Sequence, residues 1–196
     1  QLTHALEGFA HKEQEQVVHH SFQLDPSTPF TPEQSINTML AAKRGISEQQ
    51  ADQMIEQVSQ MFADSGLTMN HKDAKLVTTL HGHRLVHFAA EHGLQQPMLA
   101  RLFKAYFTDG LNTADTDTLV PLAVEVGLDE AKPRQMLESD DFKSAVQADL
   151  DQAAQYGIQG VPFFVFDNKY AVSGAQGTQA LSQALEQIWQ ELHTAA

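Results

Sequence analysis

Residues 157–166 read GIQGVPFFVF, in which two glycines and a proline lead directly into four strand-forming residues. Proline has no N–H to give a sheet ladder, so in a sheet it is confined to an edge, a bulge or the first residue of a strand. A strand is therefore expected to start just after Pro162. The next residues, DNK, separate Phe163–Phe166 from Tyr170–Val172, and a short Asp/Asn link between apolar runs predicts an antiparallel hairpin. SGAQGT then leads into Leu181, Ala184, Leu185, Ile188, Trp189 and Leu192, the stripe of an amphipathic helix.

Upstream of this hairpin the pattern is mostly helical. Leu2, Ala5, Leu6 and Phe9 share one helical face, with Gly8 near its end. QVVHHSFQLDP reads as a strand that Asp25-Pro26 stops, which puts His19 and His20 on opposite faces. Thr31-Pro32 with Gln34 predicts a helix start that runs to Gly45. Ser47 with Gln50 predicts the next start, followed by a core-facing stripe of Ala51, Met54, Ile55, Val58, Met61 and Phe62 before Gly66. Further helices are expected from about Asp73 to Gly93, through Leu99, Leu102, Phe103 and Tyr106 to Gly110, and through Leu119, Leu122, Ala123 and Val126 to Gly127. Pro133 should restrict DEAKPRQML to a broken turn or a short helix, and the last helix of the block spans about Asp141 to Tyr156.

Composition narrows the function classes. The 12 Lys+Arg against 25 Asp+Glu give a net charge of −13, which argues against nucleic acid and anionic membrane as partners. No apolar run approaches the roughly 20 residues of a membrane span. The opening residues QLTHALEGFAHKEQEQ lack the basic and apolar regions of a signal peptide, so a cytoplasmic location is expected. There are no cysteines, which removes disulfides, Cys-based metal sites and any thiol nucleophile within these residues.

GIQGVPFFVFDNKYAVSGAQ resembles the C-terminal part of the DsbA-like thiol–disulfide oxidoreductases, in particular their cytoplasmic FrnE branch. The resemblance extends through HSFQLDP, HRL, LFKAYFTDG and GLD, over nearly the whole chain. It implies an α/β chain with a thioredoxin-like fold and a large all-helical domain inserted between strands. Residues 1–30 and 157–196 would form the thioredoxin-like domain and residues 31–156 the helical insertion. It implies a cis bond before Pro162 and a substrate-binding role for Gly160, Val161 and Pro162. An extended peptide would pair with the Val161 backbone as an added strand, approached closely over Gly160.

The family's chemistry rests on a Cys-x-x-Cys pair at a helix N-terminus, where the first thiol's pKa is lowered. These residues contain no such pair, so no catalytic residue is expected among them. The missing strand and motif are expected before Gln1, because a βαβ unit needs roughly 30 residues or more. Ala175 and Gln176 occupy the place where glutathione-dependent relatives hold a carboxylate on helix N–H groups, and mark a candidate anion or glutathione site, although they lack the Ser and Asp of those relatives. His83 and His87 stand at i, i+4, a zinc-compatible spacing. Arg84 replaces the Glu of the protease pattern, and the shared stripe with Leu76 and Leu80 favours a helix seam, so no metal and no cofactor are expected. The acidic Glu138, Asp140 and Asp141 read as a solvated face and helix cap.

The expected activity is dithiol–disulfide oxidation or isomerisation. The alternatives are a glutathione-dependent isomerase of the 2-hydroxychromene-2-carboxylate isomerase type and a non-catalytic peptide-binding module. The expected partner is a thiol- or disulfide-bearing protein or a glutathione-like small molecule. Unpaired strand edges make a homo-oligomer a candidate assembly.

Overall fold

The caps and stripes of the sequence become helices over most of the chain in a computed structural model, which describes residues 1–70 and 74–194. The backbone divides into two units, Gln1–Leu24 with Asp151–Ala196, and Asp25–Leu150. Among the described residues no helix is long and apolar enough to cross a membrane.

The smaller unit contains helix α1 (Leu2–Glu7), a 3-10 turn (Lys12–Gln14), strands β1 (Phe163–Phe166) and β2 (Tyr170–Ser173), and helix α9 (Gly177–Thr194). The strands pair antiparallel, Phe163 opposite Ser173 and Phe166 opposite Tyr170. Asp167, Asn168 and Lys169 link them, the first two at φ 50° and 52°, and Lys169 N donates to Phe166 O at 3.0 Å. Two consecutive positive φ values are the type I′ geometry that matches strand twist, and Asp and Asn tolerate it better than other side chains. Alternation along the pair puts Phe164, Phe166 and Val172 on one face, where they pack with Ala5, Phe9, Leu181, Leu185 and Trp189.

The larger unit holds α2 (Ile36–Arg44), α3 (Glu48–Asp64), α4 (Leu80–Glu91), α5 (Gln95–Phe107), α6 (Thr116–Glu125) and α7 (Ala131–Glu138); the division between the units falls within α8 (Lys143–Gln155). Its core is built on Leu85, Phe88, Met98, Leu102, Leu119 and Leu122. Helix α4 packs against α5 and α7 and buries much of its circumference, including Arg84 at 1% exposure. The guanidinium spends its donors on backbone carbonyls: Nε to Asp141 at 2.8 Å, Nη1 to Leu137 at 3.3 Å, and Nη2 to Met136 at 2.5 Å and Ser139 at 2.7 Å. Met136 and Leu137 lie in the last turn of α7, whose carbonyls have no partner within the helix and carry the negative end of its dipole. Burial pushes the pKa of Arg84 down, while the Asp140 and Asp141 carboxylates push it back up.

Several local expectations are corrected. Helix α2 starts at Ile36 and not near Thr31, because Ser35 Oγ accepts from Thr38 N at 3.1 Å and forms the cap. Ser47 and Gln50 do form the capping box of α3. The stripe of α3 is only half buried: Ala51 and Ile55 are covered, Val58 and Met61 are not. The α2 helix packed against it has nine residues to its 17, so about 14 Å of partner lies along about 26 Å of helix. Phe103 is exposed rather than in the core. Helix α4 begins at Leu80; Leu76 lies outside it, and Asp73 lies outside the described residues. Of the two forms expected around Pro133, α7 takes the short helix, with the proline as its third residue, where an N–H would have no intrahelical acceptor. The stretch from Gln16 to Phe22 carries no strand, so His19 and His20 are not placed by strand alternation. A ladder needs a hydrogen-bonded neighbour, and the sheet among the described residues consists of β1 and β2 alone.

Arg84→Met should destabilise the protein by about 3 kcal/mol or more in a urea melt, because it strands buried carbonyls without donors. Arg134→Met, which removes an exposed pair with Asp117, should leave the melt nearly unchanged.

Candidate functional site

At the mouth of the hairpin lies an open cleft of about 390 Å³, lined by Gly157, Gln159, Gly160, Val161, Pro162, Phe163, Ser173 and Gly174. Its entrance loop starts from a defined helix end. Gly157 adopts a left-handed conformation at φ 68°, its N–H bonding Ala154 O at 3.0 Å, and Ile158 N bonds Ala153 O at 2.9 Å. These two bonds are the Schellman arrangement, which closes the last carbonyls of α8 and turns the chain away.

The loop then reaches Val161-Pro162 through a cis peptide bond. The ladder register places Pro162 one step beyond the Phe163–Ser173 pair, opposite Gly174. Gly174 N donates to Pro162 O at 2.8 Å, so half of a hydrogen-bonded pair is made. Proline cannot make the other half, and the carbonyl of Gly174 instead accepts from Gln176 N at 3.1 Å. Gly174 sits at φ +83°, a conformation that a side chain strains.

Gly160, Val161 and Pro162 are thus brought together on one wall, with Val161 at 52% exposure. A Cβ added at Gly160 would meet nothing within 4 Å. Ala175 and Gln176 lie in the turn beside the cleft and not in its lining. The Gln176 amide donates Nε2–H to Ser173 O at 2.6 Å, which commits the side chain to closing this turn. The lining residues Ser173, Gly174, Gln159 and Gly157 are not marked as site residues by the sequence pattern. A signal for the first two exists in SGAQG directly after a strand, a Gly-rich turn that must fold back on the strand it leaves.

The lining carries no ionisable side chain. It offers a ligand backbone N–H and C=O groups, the Gln159 amide, the Ser173 hydroxyl and the apolar surfaces of Val161, Pro162 and Phe163. On the face of the hairpin away from α1 and α9, Phe163 and Val165 alternate with the core residues, and Val165 is 39% exposed.

The histidine pair of α4 lies in the other unit. His87 Nε2 stands 3.0 Å from Asp149 Oδ2 in a largely buried pair that joins α4 to α8. His83 is partly buried one turn earlier, and among the described residues no three His, Asp or Glu converge on a metal position. Asp140 is exposed and accepts from Lys143 Nζ at 2.5 Å, which holds its carboxyl below the usual range.

Comparison with known proteins agrees over most of the chain. Residues 1–186 match the DSBA-like thioredoxin domain family. A probable DsbA oxidoreductase from Streptomyces coelicolor superposes with a TM-score of 0.91 at 38% identity, over 97% of this chain and 82% of that one. A candidate protein disulfide isomerase from Nitrosomonas europaea shares the fold at 22% identity and a TM-score of 0.62, over 76% of this chain and 77% of that one. The uncharacterized protein YwbO of Bacillus subtilis is 32% identical over 100 residues, 50% of each chain, so this chain spans about half the length of the curated relative it matches.

Gly174→Ala should cost about 1 kcal/mol in a denaturant melt through its left-handed backbone. Gly160→Ala should change stability by no more than about 0.5 kcal/mol, since its new methyl meets open space. Equal losses at the two positions would contradict this account of the loop.

Proposed function

Because the chain belongs to the DsbA-like thioredoxin-domain family, we propose that it forms the substrate-holding part of a dithiol–disulfide oxidoreductase. Within the family we place it in the FrnE branch, on the segments GIQGVPFFVFDNKYAVSGAQ, HSFQLDP and LFKAYFTDG. The observation that carries the reading is the cleft wall of Gly160, Val161 and Pro162: main-chain groups beside an exposed valine, with no charged side chain in the lining. Such a wall suits an extended polypeptide, whose main chain bonds to main chain and whose side chains meet apolar surface. It suits glutathione less well, since that molecule's two carboxylates seek cations or helix N–H groups.

In disulfide exchange a thiolate attacks one sulfur of the substrate disulfide, forms a mixed disulfide and releases the other sulfur as a thiolate. A second thiol then resolves the mixed disulfide, leaving the enzyme oxidised by two electrons and the substrate reduced by two. These 196 residues contain no cysteine, so both thiols come from outside them in this proposal. The contribution of this chain is positional. It holds the substrate backbone along Val161 so that a sulfur is presented to the attacking thiolate.

The 196-residue chain alone should show no insulin reduction, and a longer protein that joins it to a dithiol segment should show it. In that longer protein Val161→Asp should lower kcat/KM for a polypeptide disulfide about tenfold while leaving a small disulfide such as hydroxyethyl disulfide unaffected. Exchange by the cysteine-free chain, or an unchanged polypeptide rate in the variant, would overturn the reading.

A further inference from the structure

Helix α3 carries more apolar surface than α2 covers. Met54, Val58 and Met61 follow one another at i, i+4 and i+7, which sets them in a line along one side of the helix. Val58 is 43% exposed and Met61 67%, while Met54 is partly buried. The exposed Leu67 is turned back toward the end of this line. Gly66, at φ 74°, bonds Ala63 O through its N–H, and Leu67 N bonds Phe62 O, each at 2.9 Å. This is the helix ending that sets the residue after the glycine beside the last turn.

Charge is missing from the same side. At 3.6 residues per turn, successive residues stand about 100° apart, and every carboxylate of α3 lies about 90° or more around the helix from the Met54–Met61 line. Glu48 and Asp52 occupy the opposite shoulder, where Thr38 Oγ1 donates to Glu48 Oε1 at 2.9 Å and the Asn37 amide donates to Asp52. The line is flanked on its outer side by Gln50 and Gln57.

We propose that this side of α3 is a self-association surface, on which the α3 helix of a second copy of this chain lies antiparallel. Two observations select a copy over another partner. The first is that the line is a palindrome, since Met, Val, Met reads the same from either end. A two-fold axis through Val58 sets the two valines against each other and each Met54 against Met61 of the other copy, as a self-complementary contact requires. Steps of four and three residues about Val58 are the alternation of a helix–helix seam, in which each side chain enters a gap on the facing helix. The second is charge. A two-fold contact brings every group near its own kind, so in a chain of net charge −13 two copies approach best where carboxylates are absent. Gln57 stands next to the axis, and an amide both donates and accepts, so two copies of it pair where two carboxylates would repel. From Met54 to Met61 the seam is about 10 Å long, small for an interface that in stable complexes takes roughly 800 Å² of each partner. The dimer is therefore weak, forms in the micromolar range and exchanges with monomer.

Sedimentation velocity of the 196-residue chain from about 1 μM to about 500 μM tests this, and the average sedimentation coefficient should rise with concentration. Met54→Lys and Met61→Glu each strand a charge in the seam and should weaken association about tenfold or more. Met61→Glu alters a side chain already in solvent and should leave the helix content by circular dichroism unchanged. The double variant, Met54→Lys with Met61→Glu, has the native net charge. It opposes the new lysine of each copy to the new glutamate of the other, and should associate nearly as well as the native chain. A native chain that stays monomeric throughout overturns the proposal. A dimer that both single substitutions leave intact, as pairing through the strand edges of β1 or β2 would give, overturns it too. A double variant no better associated than the single ones overturns it as well, because the antiparallel register requires the rescue.

Discussion

The donor that Pro162 lacks sets the form of the site. An antiparallel ladder propagates while each hydrogen-bonded pair can exchange both of its bonds, and opposite Gly174 only one can be made. The sheet ends there, and the turn after β2 is arranged to satisfy the leftover groups. Gln176 N takes the carbonyl of Gly174, the Gln176 amide takes the carbonyl of Ser173, and the left-handed Gly174 brings both within reach. On the other strand the Schellman end at Gly157 sends the chain toward the cis bond. The cleft is consequently a feature of the main chain, held by hydrogen bonds that do not depend on the identity of a bound side chain. A surface of this kind offers main-chain groups rather than a particular side chain.

The helical unit rests on a different solution to the same requirement. The end of α7 would bury carbonyls without donors, and the sequence answers with an arginine on α4 rather than with a glycine cap. A guanidinium has five N–H groups in a planar fork and no acceptor, so it can serve several carbonyls at once where a lysine would present a single charged point. Arg84 in this way ties α4 to α7 alongside the apolar contacts of Leu85 and Phe88. Helix α3 lies at the other extreme, with a capping box at its start and half its stripe uncovered, because α2 is too short to shield it.

Electrostatics separates the roles of surface and site. The chain is strongly acidic, yet the cleft lining carries no ionisable side chain. Charged side chains also tie separate segments together, as Arg101 does with Asp109 and Glu125. The resemblance to DsbA-like proteins is strong at the level of fold for the Streptomyces coelicolor structure.

The range of the forces involved decides how much is legible in the sequence. The hairpin, the capping box at Ser47, the glycine ends at Gly45 and Gly157 and the stripe of α9 all rest on contacts within a few residues, and such signals can be read locally. Gly160, Val161 and Pro162 stand out because a proline that opens a strand is rare and has few physical meanings. The start of α2 is ambiguous in sequence because Thr31 and Ser35 are both good caps, and only the packed structure selects between them. The burial of Arg84, the exposure of Val58, Met61 and Phe103, and the absence of a ladder at Val17 and Val18 depend on which distant segment lies alongside. The same holds for Trp189, whose stripe position marks it as core while its stacking with His11 joins residues far apart in the chain. Local order is thus set by the sequence itself through caps, turns and periodicity. Partner and exposure are decided only by the tertiary structure, because burial and ring stacking are properties of neighbours that the sequence does not place side by side.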